Sequence, residues 1–171
     1  MERWDIYDKN KVRTGRTMER NHFNLADDEY HLTVLGVIRR PDGRFLITKR
    51  VMTKAWAPGW WEVSGGAAQA GEESEEAVRR EVLEETGLDV KEAEGGYVFT
   101  YHRENPGEGD NYFEMFIVTR WMLRNKMSIC RRKKQTDVGL LHQKRSGNSQ
   151  IREFSCIMIV SNGYLRTNYN G

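Results

Sequence analysis

The sequence predicts one α/β domain, because apolar strand-like runs occur on both sides of one long helical segment. The chain has 171 residues, of which 38% are hydrophobic, enough for a single core. Residues 30–39 are rich in Leu, Val and Ile, as in a buried strand. Residues 73–86 contain neither Gly nor Pro and precede Gly87, so they are expected to form a helix that ends in a left-handed glycine cap.

Turn residues delimit the other strands. Pro41, Asp42 and Gly43 favour a tight turn, so residues 45–50 are the strand that returns from 30–39. The remaining strands are predicted at 60–63 (running into a Gly65-Gly66 turn), 96–102, 112–119, and an N-terminal hairpin of 4–8 with 12–17. Residues 73–86 are thus the clearest helix that the sequence predicts.

The helix has two distinct faces. Ala77, Val78 and Val82 share one face, which is expected to pack on the sheet. Glu75 and Glu76 are expected to face water, because an unpaired charge is strongly disfavoured in a protein interior.

Composition argues against a membrane-spanning protein and against a secreted, disulfide-rich one. No run approaches the roughly 20 apolar residues that span a bilayer, and the charged first ten residues lack an apolar signal region. The two cysteines, Cys130 and Cys156, have no metal-type spacing. We therefore expect a cytoplasmic protein without a disulfide framework.

Three carboxylates carry the strongest chemical signal. Glu81, Glu84 and Glu85 are spaced so that they share one helix face, where like charges repel. A hard cation compensates such a cluster, and Mg²⁺ or Mn²⁺ commonly bridges protein carboxylates to substrate phosphates. The Gly65-Gly66 turn lets the backbone approach the same cation. The expected reaction is attack of water on a diphosphate.

The full motif resembles a known family. It consists of Gly66, five residues, Glu72, seven residues, Arg80-Glu81-Val82, one residue, Glu84-Glu85, one residue, and Gly87-Leu88. This pattern matches the Nudix box at every defined position, so the chain resembles the Nudix superfamily, firmly over residues 32–119. The resemblance implies an α/β/α sandwich with a mixed sheet, and a box folded as loop–helix–loop.

The resemblance also implies roles for individual residues. The expected metal ligands, for Mg²⁺ or Mn²⁺, are Glu81, Glu84, Glu85 and the carbonyl of Gly66. The residues expected to act in catalysis are Arg80, Glu81, Glu84 and Glu85. Glu72 and Arg80 are implied to organise the loop and helix, and Arg80 is well placed to hold one of the acids by a fork-shaped ion pair. The implied function is metal-dependent hydrolysis of a diphosphate linkage in a nucleoside diphosphate derivative or related compound.

Two residues outside the box are candidates for substrate binding. Arg50, at a predicted strand end, either faces a substrate phosphate or is simply solvated. Glu104 lies in the loop after residue 102, as does Glu108. The resemblance implies that either could be a general base or an extra metal ligand, whereas a solvated loop acid is the other interpretation of each. His102 is the histidine nearest to the expected site, and a structural role is favoured for it over catalysis.

Two other functions compete with hydrolysis. Residues 4–8 and the Thr14-Gly15-Arg16 segment resemble the start of isopentenyl-diphosphate-isomerase-like Nudix proteins. Isomerases of that group need a Cys before the box and usually have an altered box, whereas residues 1–112 contain no Cys and the box is intact. A non-catalytic binding module is the third class, against which the intact ligand set argues. We expect a small-molecule diphosphate substrate, neither a membrane nor a nucleic-acid partner, and leave a homodimer open.

Charge divides the chain. Residues 1–112 hold 16 Lys and Arg against 22 Asp and Glu, a net charge of −6, whereas residues 113–171 hold 11 against 3, a net charge of +8. We divide the chain into a hairpin extension (1–29), a Nudix core (30–119) and an aberrant basic tail (120–171). A basic nucleic-acid arm is one interpretation of that tail.

A reading-frame error near residues 113–115 is the interpretation that we favour for the tail. The frame one base earlier permits an acidic segment, then R-E-F-A, then H-Y-D-S, which resembles the end of Nudix proteins of this subgroup. Such an error would replace the last native strands and closing helix and uncover apolar surface. Stop codons in that frame between positions 115 and 165 of the encoding DNA would contradict the hypothesis.

Overall fold

The computed structural model describes residues 1–55, 57–105 and 107–120, and the backbone of residues 135–142, 159–161 and 164–166. Its elements, in chain order, are β1 (Arg3–Asp8), β2 (Arg13–Glu19), β3 (Glu29–Arg39), β4 (Arg44–Arg50), β5 (Trp61–Glu62), β6 (Ser64–Ala67), α1 (Ser74–Thr86), β7 (Glu94–Arg103), β8 (Tyr112–Arg120), β9 (Gln135–His142), β10 (Ile159–Ser161) and β11 (Tyr164–Arg166). The described part of the chain is thus a strand-rich α/β fold with one helix.

The sheet is mixed and is built around β3. This strand pairs in parallel with β8 over nine positions, from His31 opposite Tyr112 to Arg39 opposite Arg120. It pairs antiparallel with β6, and β8 pairs antiparallel with β7 on its other side. Strand β4 pairs with β5 and β9. A β-branched and leucine-rich strand with neighbours on both sides suits this central position.

Helix α1 follows the sequence prediction closely. The backbone N–H of its N-cap, Glu73, donates to the Glu76 carboxylate at 3.0 Å, and Gly87 ends the helix with φ 76°. Val78 and Val82 are buried in the main core between helix and sheet. Glu75 and Glu76, in the first turn, are exposed, as the sequence predicts. The predicted assignment of residues to the two helix faces is therefore confirmed.

The predicted N-terminal hairpin forms and joins the same sheet. Strand β1 pairs with β2, and it pairs with β3 where Tyr7 lies opposite Tyr30. A small second core lies under the hairpin and consists of Trp4, Ile6, Met18 and Leu25, with Ala67 packed against it. The hairpin therefore reaches β6, the strand that leads into the box.

One local prediction is wrong. Gly65 and Gly66 do not form a turn, because they lie in β6, with Gly66 opposite Val34 of β3. A Cβ atom on Gly65 would lie 2.4 Å from the Val34 carbonyl oxygen, so the missing side chain lets β6 lie close to β3. The box therefore begins on a strand and continues through a loop into α1.

Part of the sequence interpretation falls outside the described residues. Cys130 and Cys156 lie there, as does most of the predicted aberrant tail. The described residues continue β8 in register as far as Arg120, beyond the proposed frame change at 113–115. Within the same ranges, no helix has the length and apolar character needed to cross a membrane.

Candidate active site

Arg80 is the centre of the box. Its Nε and Nη2 donate to the two carboxylate oxygens of Glu72, at 2.9 and 3.0 Å, and Nη2 also donates to the carbonyl of Ala67 at 3.0 Å. The Glu72 carboxylate accepts a further bond from the backbone N–H of Gln69, at 2.9 Å. This is the fork-shaped pair that the sequence predicts, and it ties helix, loop and strand β6 together.

The same guanidinium sits against the acidic face of α1. Arg80 Nη1 lies 2.6 Å from Glu81 Oε1 and 3.7 Å from Glu84 Oε1. Burial lowers the pKa of Arg80, but its hydrogen bonds to Glu72 and Glu81 outweigh burial and leave that pKa raised. Arg80 thus acts as an internal counter-ion for neighbouring carboxylates that would otherwise repel each other.

Two of the predicted carboxylates are buried beside the glycine that opens the box. Glu81 and Glu85 are each only 5% exposed. A Cβ atom on Gly66 would lie 2.6 Å from Glu81 Oε1, so the carboxylate rests against bare backbone. Glu84, whose side chain is 36% exposed, stands further out on the helix.

Glu81, Glu85 and Gly66 line one pocket of about 200 Å³. Its other lining residues are Glu2, Trp4, Arg20, Arg50, Lys54, Gly65 and Ala67. Three basic and three acidic side chains therefore share this space. Such a pocket can accept a negatively charged group near carboxylates only where a cation or hydrogen-bond donors offset the repulsion.

The donors around Gly66 suit a hard divalent cation. They are carboxylate and backbone oxygens, the ligands that Mg²⁺ and Mn²⁺ prefer. Throughout the part of the chain that the structure describes, no three His, Cys, Asp or Glu side chains are grouped as a metal site. The assignment of Glu81, Glu84, Glu85 and the Gly66 carbonyl as metal ligands therefore stays a prediction.

Arg50 lines the pocket, where the sequence placed a candidate substrate-binding residue. Its Nη1 donates to both carboxylate oxygens of Glu62, at 2.9 Å each. This contact within the sheet fixes the side chain at the pocket wall. Lys49, the neighbouring strand residue, instead lies over the ring of Trp61, 5.7 Å from its centroid.

Glu104 does not line this pocket. It accepts a hydrogen bond from the Tyr30 hydroxyl at 3.0 Å, and burial together with that bond raises the pKa of Tyr30. His102 packs against Tyr30 and Phe113, with ring centroids 4.7 and 4.9 Å away, in keeping with a structural role. Glu108, in the same loop, donates its backbone N–H to the carbonyl of Asn105.

The sequence analysis missed the side of the pocket formed by the N-terminal hairpin. Glu2 accepts hydrogen bonds from Trp4 Nε1 at 3.0 Å and Arg20 Nη1 at 2.7 Å. Burial alone would raise the pKa of Glu2, but these bonds outweigh it and the pKa is lowered. Trp4 in turn stacks on His31 at 4.8 Å. The predicted hairpin was the available signal, since it places residues 2 and 20 together at its open end.

The part of the chain that contains the box also matches known proteins. The family model for the NUDIX domain matches residues 29–134. An uncharacterised Nudix hydrolase of Listeria monocytogenes is 38% identical over 114 residues, which cover 66% of this chain and 66% of that protein, just under two thirds. The nucleoside triphosphatase NudI of Salmonella heidelberg is 42% identical over 55 residues, 32% of this chain and 39% of that protein.

Solved structures share the fold. DR0079 from Deinococcus radiodurans superposes with a TM-score of 0.64 at 22% identity, over 82% of this chain and 83% of that one. A MutT Nudix hydrolase from Burkholderia pseudomallei gives 0.52 at 22% identity, over 67% and 88%. Because the family match spans more than half of the sequence and contains the complete box around Arg80, the chain belongs to the Nudix hydrolase family.

Proposed function

We propose that this Nudix hydrolase is metal-dependent and cleaves a diphosphate linkage in a nucleoside diphosphate derivative or a related compound. The observation that carries the proposal is the pocket in which Glu81 and Glu85 lie buried beside Gly66, with Arg50 on the same wall. Acidic oxygens that suit a divalent cation and basic groups that suit phosphate are thereby brought within one small space.

The residues of the proposed site have distinct tasks, although Glu84 and Arg80 lie beside the pocket and do not line it. Glu81, Glu84, Glu85 and the Gly66 carbonyl are the groups that would hold Mg²⁺ or Mn²⁺, which when bound supplies Lewis-acid stabilisation of phosphate charge and an oriented water. Arg80 fixes the Glu81 carboxylate through the 2.6 Å contact.

The basic residues would bind the substrate. Arg50 is held by Glu62 and Arg20 by Glu2, so both guanidiniums are oriented before an anion arrives. Lys54 adds a third cation to the same lining. Two planar guanidiniums and an ammonium suit the several oxygens of a diphosphate better than a single charge would.

The test is a substrate panel assayed for phosphate and diphosphate release with Mg²⁺, Mn²⁺ or a chelator. It includes nucleoside diphosphate derivatives, nucleoside triphosphates (the substrate class named for NudI) and isopentenyl diphosphate. We expect metal-dependent release from a nucleotide substrate. Isomerisation of isopentenyl diphosphate without phosphate release would instead support the isomerase alternative, and no turnover with any compound would support a binding module.

A matched pair of variants tests the site itself. Glu85→Gln should lower turnover by on the order of 100-fold or more, because a charged oxygen is lost from the proposed metal site. Glu75→Gln makes the same chemical change on the exposed first turn of α1 and should leave turnover unchanged. Equal turnover in the two variants would count against metal catalysis by this helix face.

A further inference from the structure

We propose that Asp5 and Arg13 of the N-terminal hairpin are positioning residues that clamp residues 71–73 of the box and thereby hold the Arg80–Glu81 pair in its working geometry. The inference rests on the proposed function, because it assigns the hairpin a part in the same metal-dependent reaction. Neither residue belongs to the box, and neither lines the pocket beside Gly66.

Two side chains of the hairpin contact the loop mainly at the loop's backbone. Asp5 Oδ2 accepts the N–H of Gly71 at 2.8 Å, and Arg13 Nη2 donates to the carbonyl of Glu72 at 2.8 Å. Arg13 Nη1 also pairs with the Glu73 carboxylate at 2.7 Å. Backbone contacts of this kind fix the path of the loop whatever its side chains are, which is the property that a clamp requires.

The two residues also fix each other. Arg13 Nε lies 3.0 Å from Asp5 Oδ2, so that oxygen binds both Arg13 and the loop. The Asp5 side chain is only 14% exposed, whereas that of Arg13 is 36% exposed, so the shared oxygen lies on the inner side of the pair. The hydrogen bond to Glu73 is the largest cause of the raised pKa of Arg13. A planar guanidinium can make these contacts together, whereas an ammonium cannot reproduce their geometry.

Glu72 connects the clamp to the active site. Its backbone carbonyl is held by Arg13, and its carboxylate is held by both Nε and Nη2 of Arg80. Arg80 then contacts Glu81 at 2.6 Å, beside Gly66. Glu72 and Arg80 therefore connect Arg13 to Glu81, a proposed metal ligand. Outer residues that orient a ligand commonly affect metal affinity without touching the metal.

The experiment compares Arg13→Ala with Arg16→Ala in the full chain. Arg16 lies on the same strand and pairs with Glu29 at the start of β3, so its loss also removes a tie between hairpin and sheet but leaves the loop contacts intact. Mn²⁺ binding is measured without substrate from the electron paramagnetic resonance signal of free Mn²⁺. Hydrogen exchange of the Gly71 amide, which donates to Asp5, is measured in parallel.

We expect Arg13→Ala to raise the Mn²⁺ dissociation constant by about 10-fold and to speed exchange of the Gly71 amide, with wild-type values in Arg16→Ala. Activity should fall at low Mn²⁺ and recover at saturating Mn²⁺, with an unchanged KM for the substrate. Arg13→Lys should restore only part of the affinity, and Asp5→Asn should weaken it less than Arg13→Ala.

Two results would overturn the clamp. One is equal Mn²⁺ affinity in Arg13→Ala and Arg16→Ala, and the other is unchanged Gly71 exchange in Arg13→Ala. Thermal unfolding of both variants identifies a loss of fold, in which case Asp5→Asn replaces Arg13→Ala in the same comparison. Absence of Mn²⁺ binding by the wild-type chain contradicts the proposed function instead, and the exchange of Gly71 still decides whether the hairpin orders the loop.

Discussion

Helix α1 and the N-terminal hairpin line the same pocket, yet they differ in how the sequence specifies them. The helix presents Glu81 and Glu85 through a spacing that can be read within 20 residues of chain. The hairpin brings Glu2 and Arg20 to the pocket only after β1 and β2 have paired and joined β3. A local motif therefore identifies the chemistry, whereas the surroundings that complete the pocket depend on tertiary structure.

The largest effect should come from placing a methyl group at the start of the box. In Gly66→Ala the new Cβ would lie 2.6 Å from Glu81 Oε1, so either the carboxylate or β6 must move. We expect turnover to fall by on the order of 100-fold, because small misplacement of a reacting group has a large cost. Steady-state kinetics at saturating metal measures the loss.

Gly96→Ala is the matched control for that change. Gly96 lies in β7, and a Cβ there would meet nothing within 4 Å. Its turnover should equal that of the wild-type chain. If the two alanine variants were equally active, the contact between Gly66 and Glu81 would not matter for the reaction.

The same substitution at two arginines sharpens the comparison of box and hairpin. Arg80→Lys loses the fork onto Glu72, and we expect turnover to fall by about 10- to 100-fold. Arg13 reaches Glu81 only through Glu72 and Arg80, so the loss of turnover in Arg13→Lys should be smaller. The turnover of Arg80→Lys and that of Arg13→Lys, compared at one Mn²⁺ concentration below saturation, show which of the two regions has the larger effect. A larger loss at Arg13 would reverse the order that we infer.

Stability should also distinguish the two regions. Val82 is fully buried between helix and sheet, so Val82→Ala should lower the free energy of unfolding by about 2 kcal/mol. Val12 is 59% exposed at the hairpin turn, and Val12→Ala should change that free energy by less than about 0.5 kcal/mol. Urea unfolding at fixed pH measures both, and similar losses would mean that the core does not lie where we place it.

The last prediction concerns the pH dependence of stability and Glu114, which lies in strand β8. Burial raises the pKa of its carboxyl to about 7, although Arg103 lowers it somewhat. The folded state therefore holds the proton more tightly than the unfolded chain, and the resulting stability, full below about pH 4.5, is lost as pH rises through 7. Glu114→Gln should gain about 2 kcal/mol relative to wild type between pH 5 and pH 8.

Chemical denaturation of both proteins at those two pH values checks this prediction. A stability difference that does not change with pH would mean that Glu114 ionises normally in the folded protein. The neighbouring positions in register, Thr33 and Tyr101, are retained in both proteins, so the comparison isolates the carboxyl group.

Sequence predictions that depend on interactions between nearby residues are more accurate than those that depend on contacts between distant residues. The helix, its cap at Gly87 and its buried valines depend on neighbours a few residues away, and these predictions are confirmed. Gly65 and Gly66 appeared to form a turn because glycine is common in turns, but pairing with β3 decides their conformation. The sequence left Arg50 open between facing a substrate phosphate and being solvated, and its place in the pocket depends on the packing of the sheet.

Residues further from the box were harder to interpret. Glu104 was a candidate because loop acids serve as bases, and its hydrogen bond to Tyr30 depends on a contact 74 positions away in the chain. Asp5 and Arg13 carried no chemical signal of their own, since a hairpin of alternating charges is ordinary surface until its partner is known. The basic tail lies outside the described side chains and remains a hypothesis about the encoding DNA.

The parallel pairing of β3 and β8 has a consequence for the nascent chain. The Thr33 hydroxyl donates to the carbonyl of Phe113, 80 positions later in the chain. Strands β3 and β8 therefore cannot pair until β8 has been synthesised. Until then, the apolar side chains of β3 lack the neighbouring strand β8. Such delayed long-range pairing slows folding and exposes strand edges to other chains. Production at low temperature or with chaperones should therefore raise the soluble yield.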